Sequence, residues 1–463
     1  MSEATNRESK VPADQGLSTL GLAMQLMGTV LGVYALIMLL TFVFIPQSDS
    51  SKVASLLILV LCGVRSWFHA RAGSQLIYGQ TSLDGQALHL AGIKRYVVIA
   101  LVQSMGVAGI LLAQGTLPVR DAIALGAGLA VWPVILGVVF AMPRFARFKT
   151  EMPMPEDKGF EGAAILMTIL GVCGSLAMGA VLVLMLQNLH AILNTGPGVL
   201  LVGAVIVLFI RSLLHVGAGL SGLRETDLVG SIDKANRYAN FGVIASFCAA
   251  GALLIVAMMD GPQVMVFAWV ACMCWMLLAW PLTLRRFIGE RQFAGLTAAD
   301  TDVHRRAPDL GLTGLGWILI GHAAFMATYV VPQLCAGGSS SGGMFDTSTR
   351  LVDMFSRMAP AGGHSIWWTV VELALQLWAG FSLIRMTPNA RWIATGYAIV
   401  VSLLTVWMAW PVIKEVSAML RSFDPSNVVS LVTLAIGLVI PASTLLLVNR
   451  ALTPTARARF TNA

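Results

Sequence analysis

From Leu17 onward the chain alternates long apolar runs with short polar breaks. A membrane-crossing helix needs about 20 mostly apolar residues. Twelve stretches meet that need, at 20–45, 53–78, 97–114, 122–142, 163–186, 198–222, 240–259, 263–284, 314–335, 365–384, 391–412 and 427–449. The opening 16 residues, MSEATNRESKVPADQG, are polar and of mixed charge. The apolar run that follows is too long for the core of a cleavable signal peptide. A disordered tail over 1–18, followed by a true span, is the expected start.

The polar breaks carry a charge asymmetry. Of the 30 Lys and Arg residues, 21 fall at the termini and in every second loop, including Lys94, Arg95, Arg237, Arg285, Arg286 and Arg385. The alternate loops hold only 6: Lys52, Arg120, Arg350, Arg357, Lys414 and Arg421. Basic residues collect on the cytoplasmic side of a membrane protein. A missing span would scramble the alternation, so the asymmetry supports twelve spans with both termini cytoplasmic, in a bacterial-type inner (plasma) membrane.

The runs also repeat. Residues 65–73 read RSWFHARAG and residues 211–219 read RSLLHVGAG, each inside the second span of a set of four. A more worn copy, ELALQLWAG, occupies 372–380. The dipeptides Trp132-Pro133, Trp280-Pro281 and Ile440-Pro441 follow 67, 69 and 68 residues after Arg65, Arg211 and Glu372, each in a fourth span. A third landmark opens the third spans: Arg95-Tyr96, Arg237-Tyr238 and Arg391-Trp392. The expected fold is therefore an all-α polytopic membrane protein of about twelve transmembrane helices. It consists of three parallel four-helix repeats, at 19–150, 151–300 and 301–463. The last repeat contains an extracytoplasmic loop over 336–364. There Asp346 caps a short helix with Leu351, Met354, Phe355 and Met358 on one face. The basic-then-acidic stretch 285–311 reads as a linker. The small pairs Ala72-Gly73, Ala218-Gly219 and Ala379-Gly380 let helices approach closely.

Composition agrees: 57% of residues are hydrophobic and 11% charged, too few charges to clothe a water-facing surface. The net charge of +7 sits in short loops, which excludes a nucleic-acid-binding role. The six cysteines, Cys62, Cys173, Cys248, Cys272, Cys274 and Cys335, form no CxxC pair and read as small buried apolar residues. No P-loop, HExxH or nucleophile-elbow motif is present, so an enzyme is not expected.

Chemistry concentrates at six intramembrane positions. Arg65, Arg211 and Glu372 hold equivalent places about 20 Å from the inner ends of their helices. His69, His215 and Gln376 follow one turn later on the same face. A charge there costs about 2.5–3.5 kcal/mol, so it faces the protein interior or water and seeks a partner. Glu372 is the natural partner for one or both arginines if the repeats ring a common axis. The surplus positive charge then suits an anionic small molecule, an acidic lipid or a carboxylate from a partner membrane subunit. Arg65 can also bond a backbone carbonyl at a kinked helix. The leading expectation is a transporter or channel-like protein with a buried Arg/Glu site between repeats. The alternative is a structural or scaffold subunit of a larger membrane complex, in which these residues hold helices in register. A third reading, a haem- or quinone-binding electron carrier, rests on His69, His215 and His322, but no cofactor is required by the sequence.

Overall fold

In a computed structural model the described residues are 17–44, 49–78, 83–115, 118–141, 160–187, 189–193, 197–223, 228–259, 264–289, 310–335, 367–385, 387–419 and 437–451, and every regular element among them is a helix. Lipid leaves no other choice for an open chain, because hydrocarbon offers backbone N–H and C=O groups no partner. The first four helices are α1 (Leu17–Phe44), α2 (Asp49–Tyr78), α3 (Leu83–Ala113) and α4 (Val119–Ala141). The next four are α5 (Phe160–Gln187), α6 (Gly198–Gly222), α7 (Leu228–Met259) and α8 (Val264–Ile288), with a single turn at Leu189–Leu193 after α5. The last four are α9 (Leu310–Cys335), α10 (Trp367–Arg385), α11 (Ala390–Met419) and α12 (Gly437–Asn449), which widens into a π-helical turn at Leu447–Ala451. Nine helices among the described residues are long and apolar enough to cross a membrane. The chain is thus a multi-pass integral membrane protein.

Helix boundaries depart from the apolar runs in an informative way. α3 and α7 begin about 12–14 residues before the expected spans at 97 and 240. Hydropathy marks lipid depth, whereas a helix continues as long as its backbone bonds do. On α7 the extension is supported by Arg237, which pairs with Asp233 one turn earlier at 2.7 Å. α1 already starts at Leu17, inside the stretch expected to be a disordered tail, because Leu17 and Ser18 are buried in the bundle. His89 falls within α3 and His190 in the short turn. The expected loop helix around Asp346–Met358, the linker at 290–309 and Cys335's side chain lie outside the described residues. Cys272 is buried as expected, but Cys248 is exposed on the apolar surface.

Each set of four packs in chain order, first helix on second, second on third, third on fourth. The tightest of these contacts is first on second. A Cβ on Gly73 would stand 2.5 Å from Gln25 N and from Gly21 O. A Cβ on Gly219 would stand 2.7 Å from Thr168 N, and one on Gly380 would stand 3.0 Å from Gly316 O. The small pairs do face a neighbouring backbone, and Ala72, Ala218 and Ala379 beside them are buried.

The sets then interlock. α1, α5 and α9 touch one another at the centre of the molecule. α8 packs on α1, and α4 packs on α9. Val439, Leu447 and Val448 of α12 share a core with Ala164, Ile165 and Ile169 of α5. Two fourth helices thus rest on the first helix of another set, and α12 shares an apolar core with α5. Three apolar cores result, one centred on each set. Where the three first helices meet, Thr19 of α1 lies against Gly162 of α5 and Gly314 of α9.

Gly219→Leu is expected to lower stability by about 1–3 kcal/mol or more, because the new side chain has only backbone to displace. Gly203→Ala, where nothing lies within 4 Å of the added carbon, is expected to stay within about 0.5 kcal/mol. Denaturant midpoints in mixed micelles check both.

Candidate functional site

Pro133 lies inside α4 and Pro281 inside α8. Proline has no N–H, so the carbonyl four residues earlier loses its helical donor. Those carbonyls are Leu129 O and Leu277 O. Arg65 Nη2 donates to Leu129 O at 3.0 Å, and Arg211 Nη2 donates to Leu277 O at 2.9 Å. In hydrocarbon a freed carbonyl costs several kcal/mol, and a guanidinium needs an acceptor just as badly. Each defect therefore answers the other. The two sites differ in their second partner. Arg65 Nη1 also donates to Gln103 Oε1 at 2.9 Å. In the second set Ser246 Oγ joins Arg211 on Leu277 O, again at 2.9 Å. Arg211 is nearly sealed, at 8% exposure, and its Nε has no partner. Arg65 is half-buried.

The residue before each proline completes the arrangement. Trp132 Nε1 donates to His69 Nε2 at 3.2 Å, and Trp280 Nε1 donates to His215 Nε2 at 2.6 Å. An indole N–H only donates, so in both rings Nε2 accepts and the proton sits on Nδ1. Tyr96 of α3 stacks on His69 with ring centroids 4.7 Å apart, and Tyr238 of α7 stacks on His215 at 4.1 Å. Each tyrosine also lies beside its set's arginine. Second, third and fourth helices are thereby tied at one level in both sets.

The third set keeps the positions and changes the chemistry. Ile440 replaces the tryptophan, so no indole reaches Gln376. Gln376 turns instead to the first helix, where Nε2 donates to Leu319 O at 3.1 Å and meets His322 Nδ1 at 2.8 Å. The buried aromatic on the third helix is Tyr397; Trp392, the expected landmark, is 71% exposed. Tyr397 lies within electrostatic reach of Glu372.

The six expected site residues are therefore brought together in pairs, not as one cluster. Arg65 and His69 sit in the first set, Arg211 and His215 in the second, Glu372 and Gln376 in the third. Among the described residues, neither Arg65 nor Arg211 is within ion-pair distance of a carboxylate. The Arg–Glu attraction anticipated across a common axis is not realised, because first helices, not second ones, occupy the centre. Three members were missed. Tyr96, Tyr238 and Tyr397 each precede by eight residues a Ser or Thr: Ser104 and Thr405 donate to the carbonyl one turn back, and the single O–H of Ser246 is shared between Gly242 O and Leu277 O. That spacing was the available signal. Arg71, the remaining basic residue in a span, is exposed.

His69 packs with Tyr96 and Trp132, and His215 with Tyr238 and Trp280, each accepting at Nε2 from its indole. Among the described residues no cluster of His, Cys, Asp and Glu is placed to hold a metal ion. Comparison with family models, curated proteins and solved structures gives no match.

A double-mutant cycle tests the exchange between proline and arginine. In Pro281→Ala the new N–H serves Leu277 O, so adding Arg211→Met should cost less than it does in the parent. A coupling of about 0.5–2 kcal/mol in denaturant midpoints is expected; additivity would disprove the lock.

Proposed function

We propose that the chain is a structural subunit, a scaffold embedded in a bacterial-type inner membrane, built from three parallel four-helix repeats with both termini cytoplasmic. The observation that carries this reading is the use made of the intramembrane arginines. Each guanidinium gives one donor to a proline-freed carbonyl inside its own set, which favours a packing role over a shared ligand. Buried polar contacts of this kind are worth roughly 0.6–2 kcal/mol each in membranes, enough to fix register. At the N-terminal ends of the first helices Thr19 packs against Gly162 and Gly314, which fills that end of their meeting point. A carrier with a common charged site between repeats needs space and convergence at that axis. The equivalent first-on-second glycine contacts, the paired Arg–carbonyl and Trp–His bonds, and the contacts of fourth helices with other sets all favour triplication. The partners such a scaffold implies are the lipid bilayer and another membrane subunit. No reaction, resident cofactor or nucleic acid enters this reading.

Cysteine accessibility separates this reading from transport. In a background with its own cysteines replaced, Leu277→Cys and Gln103→Cys are expected to resist a small hydrophilic thiol reagent from either side of sealed vesicles. Gly115→Cys, in an exposed turn, is expected to react. Reaction at position 277 or 103 would mean a water-filled path to the arginines and would favour a transporter.

A further inference from the structure

Glu372 is the one member of the six that the locks leave unexplained. It stands where Arg65 and Arg211 stand, on a second helix, one turn from Gln376 and beside a third-helix tyrosine. Pro441 in α12 frees the carbonyl of Gly437, as Pro133 and Pro281 free those of Leu129 and Leu277. A Cβ on Gly437 would stand 3.8 Å from the Thr405 methyl, so α12 and α11 are neighbours at this level. A guanidinium can answer such a carbonyl because it only donates. A carboxylate cannot, because it only accepts; the protonated acid has one O–H to give.

Among the described residues the surroundings give a carboxylate no cationic partner. α10 packs on α9 and α11. On α9 the titratable group described is His322, which is taken up by Gln376. On α11 they are Tyr397 and, six residues away toward the end of the helix, Arg391. Cys173 of α5 lies in the same apolar core. On α10 itself Arg385 is 13 residues on, about 20 Å along the axis. An unpaired carboxylate in a low-dielectric interior is so costly that such groups take up a proton instead.

We propose that Glu372 is a proton-binding site: a neutral carboxylic acid inside the membrane, its ligand a proton drawn from the aqueous phase, and its O–H directed at the α12 carbonyl that proline leaves free. The site goes beyond the scaffold reading and does not rest on it. The bound proton supplies the one donor that Arg→Glu replacement removes, so the third lock closes when Glu372 is protonated and opens when it is not.

The test uses the full chain in membrane vesicles and the hydrophobic reagent dicyclohexylcarbodiimide, which adds to protonated carboxyls shielded from water. Peptide mass spectrometry is expected to find the adduct on Glu372 at neutral pH, falling several-fold as the medium is made alkaline. Glu372→Gln should lose the adduct, keep the parent's denaturant midpoint, and remove a carboxylic-acid C=O band from the infrared spectrum. An unmodified Glu372 at neutral pH, or an infrared spectrum with only a carboxylate at this position, would overturn the proposal. So would a Glu372→Gln midpoint lowered as by a lost charge pair. None of these outcomes bears on whether positions 277 and 103 are reached by water, so the two readings fail separately.

Discussion

A backbone carbonyl in hydrocarbon must find a donor, and much of this molecule follows from that requirement. Proline in a transmembrane helix breaks one bond and leaves one carbonyl. Water would absorb the loss in a soluble protein. Here the answer is a guanidinium from a neighbouring helix, at 3.0 Å for Leu129 and 2.9 Å for Leu277. Arginine and proline are each costly alone in this setting. Together each offsets part of the other's cost, and they set the height at which the second and fourth helices meet. The Trp–His bond next to the proline and the Tyr stacked on the His extend the same level across three helices.

The rest of the packing is dispersion between close backbones. Lipid tails are as apolar as leucine, so burial of apolar side chains does little to draw helices together. Close approach does more, and Gly73, Gly219 and Gly380 permit it on one face of each second helix. Two fourth helices then rest on first helices of other sets, and α12 shares an apolar core with α5, so no set is completed by its own residues alone. This connectivity also decides the contest between charge attraction and packing. Second helices, which carry Arg65, Arg211 and Glu372, are held away from the centre by the first helices, and the opposite charges do not meet.

The helices were legible because lipid imposes a length on each apolar run, and nine of those described are long and apolar enough to cross it. The pairs Arg65–His69 and Arg211–His215 and the prolines stood out by their spacing in the sequence. The option that Arg65 bonds a broken helix's carbonyl was visible from the proline alone. What decided it was three-dimensional: a single chain cannot announce whether four-helix sets present their second helices inward or outward. The register of α11 slipped because Arg391-Trp392 imitates Arg95-Tyr96 in composition. Burial picks Tyr397 instead, and the hydroxyl at Thr405 marks the same interval as Ser104 and Ser246. The loss of Trp at 440 together with His at 376 makes physical sense only once their bond in the other two sets is seen.

The meeting point of the first helices has a further consequence. A ring of three separate and identical chains would place the same side chain three times at that spot. Three threonines would collide there, and three glycines would leave a gap. One threonine against Gly162 and Gly314 fills the space, and only a fused chain can make that choice. Covalent linkage therefore does more here than hold the units at high local concentration. Because Thr19, Gly162 and Gly314 belong to one chain, each side chain at the meeting point can be chosen separately.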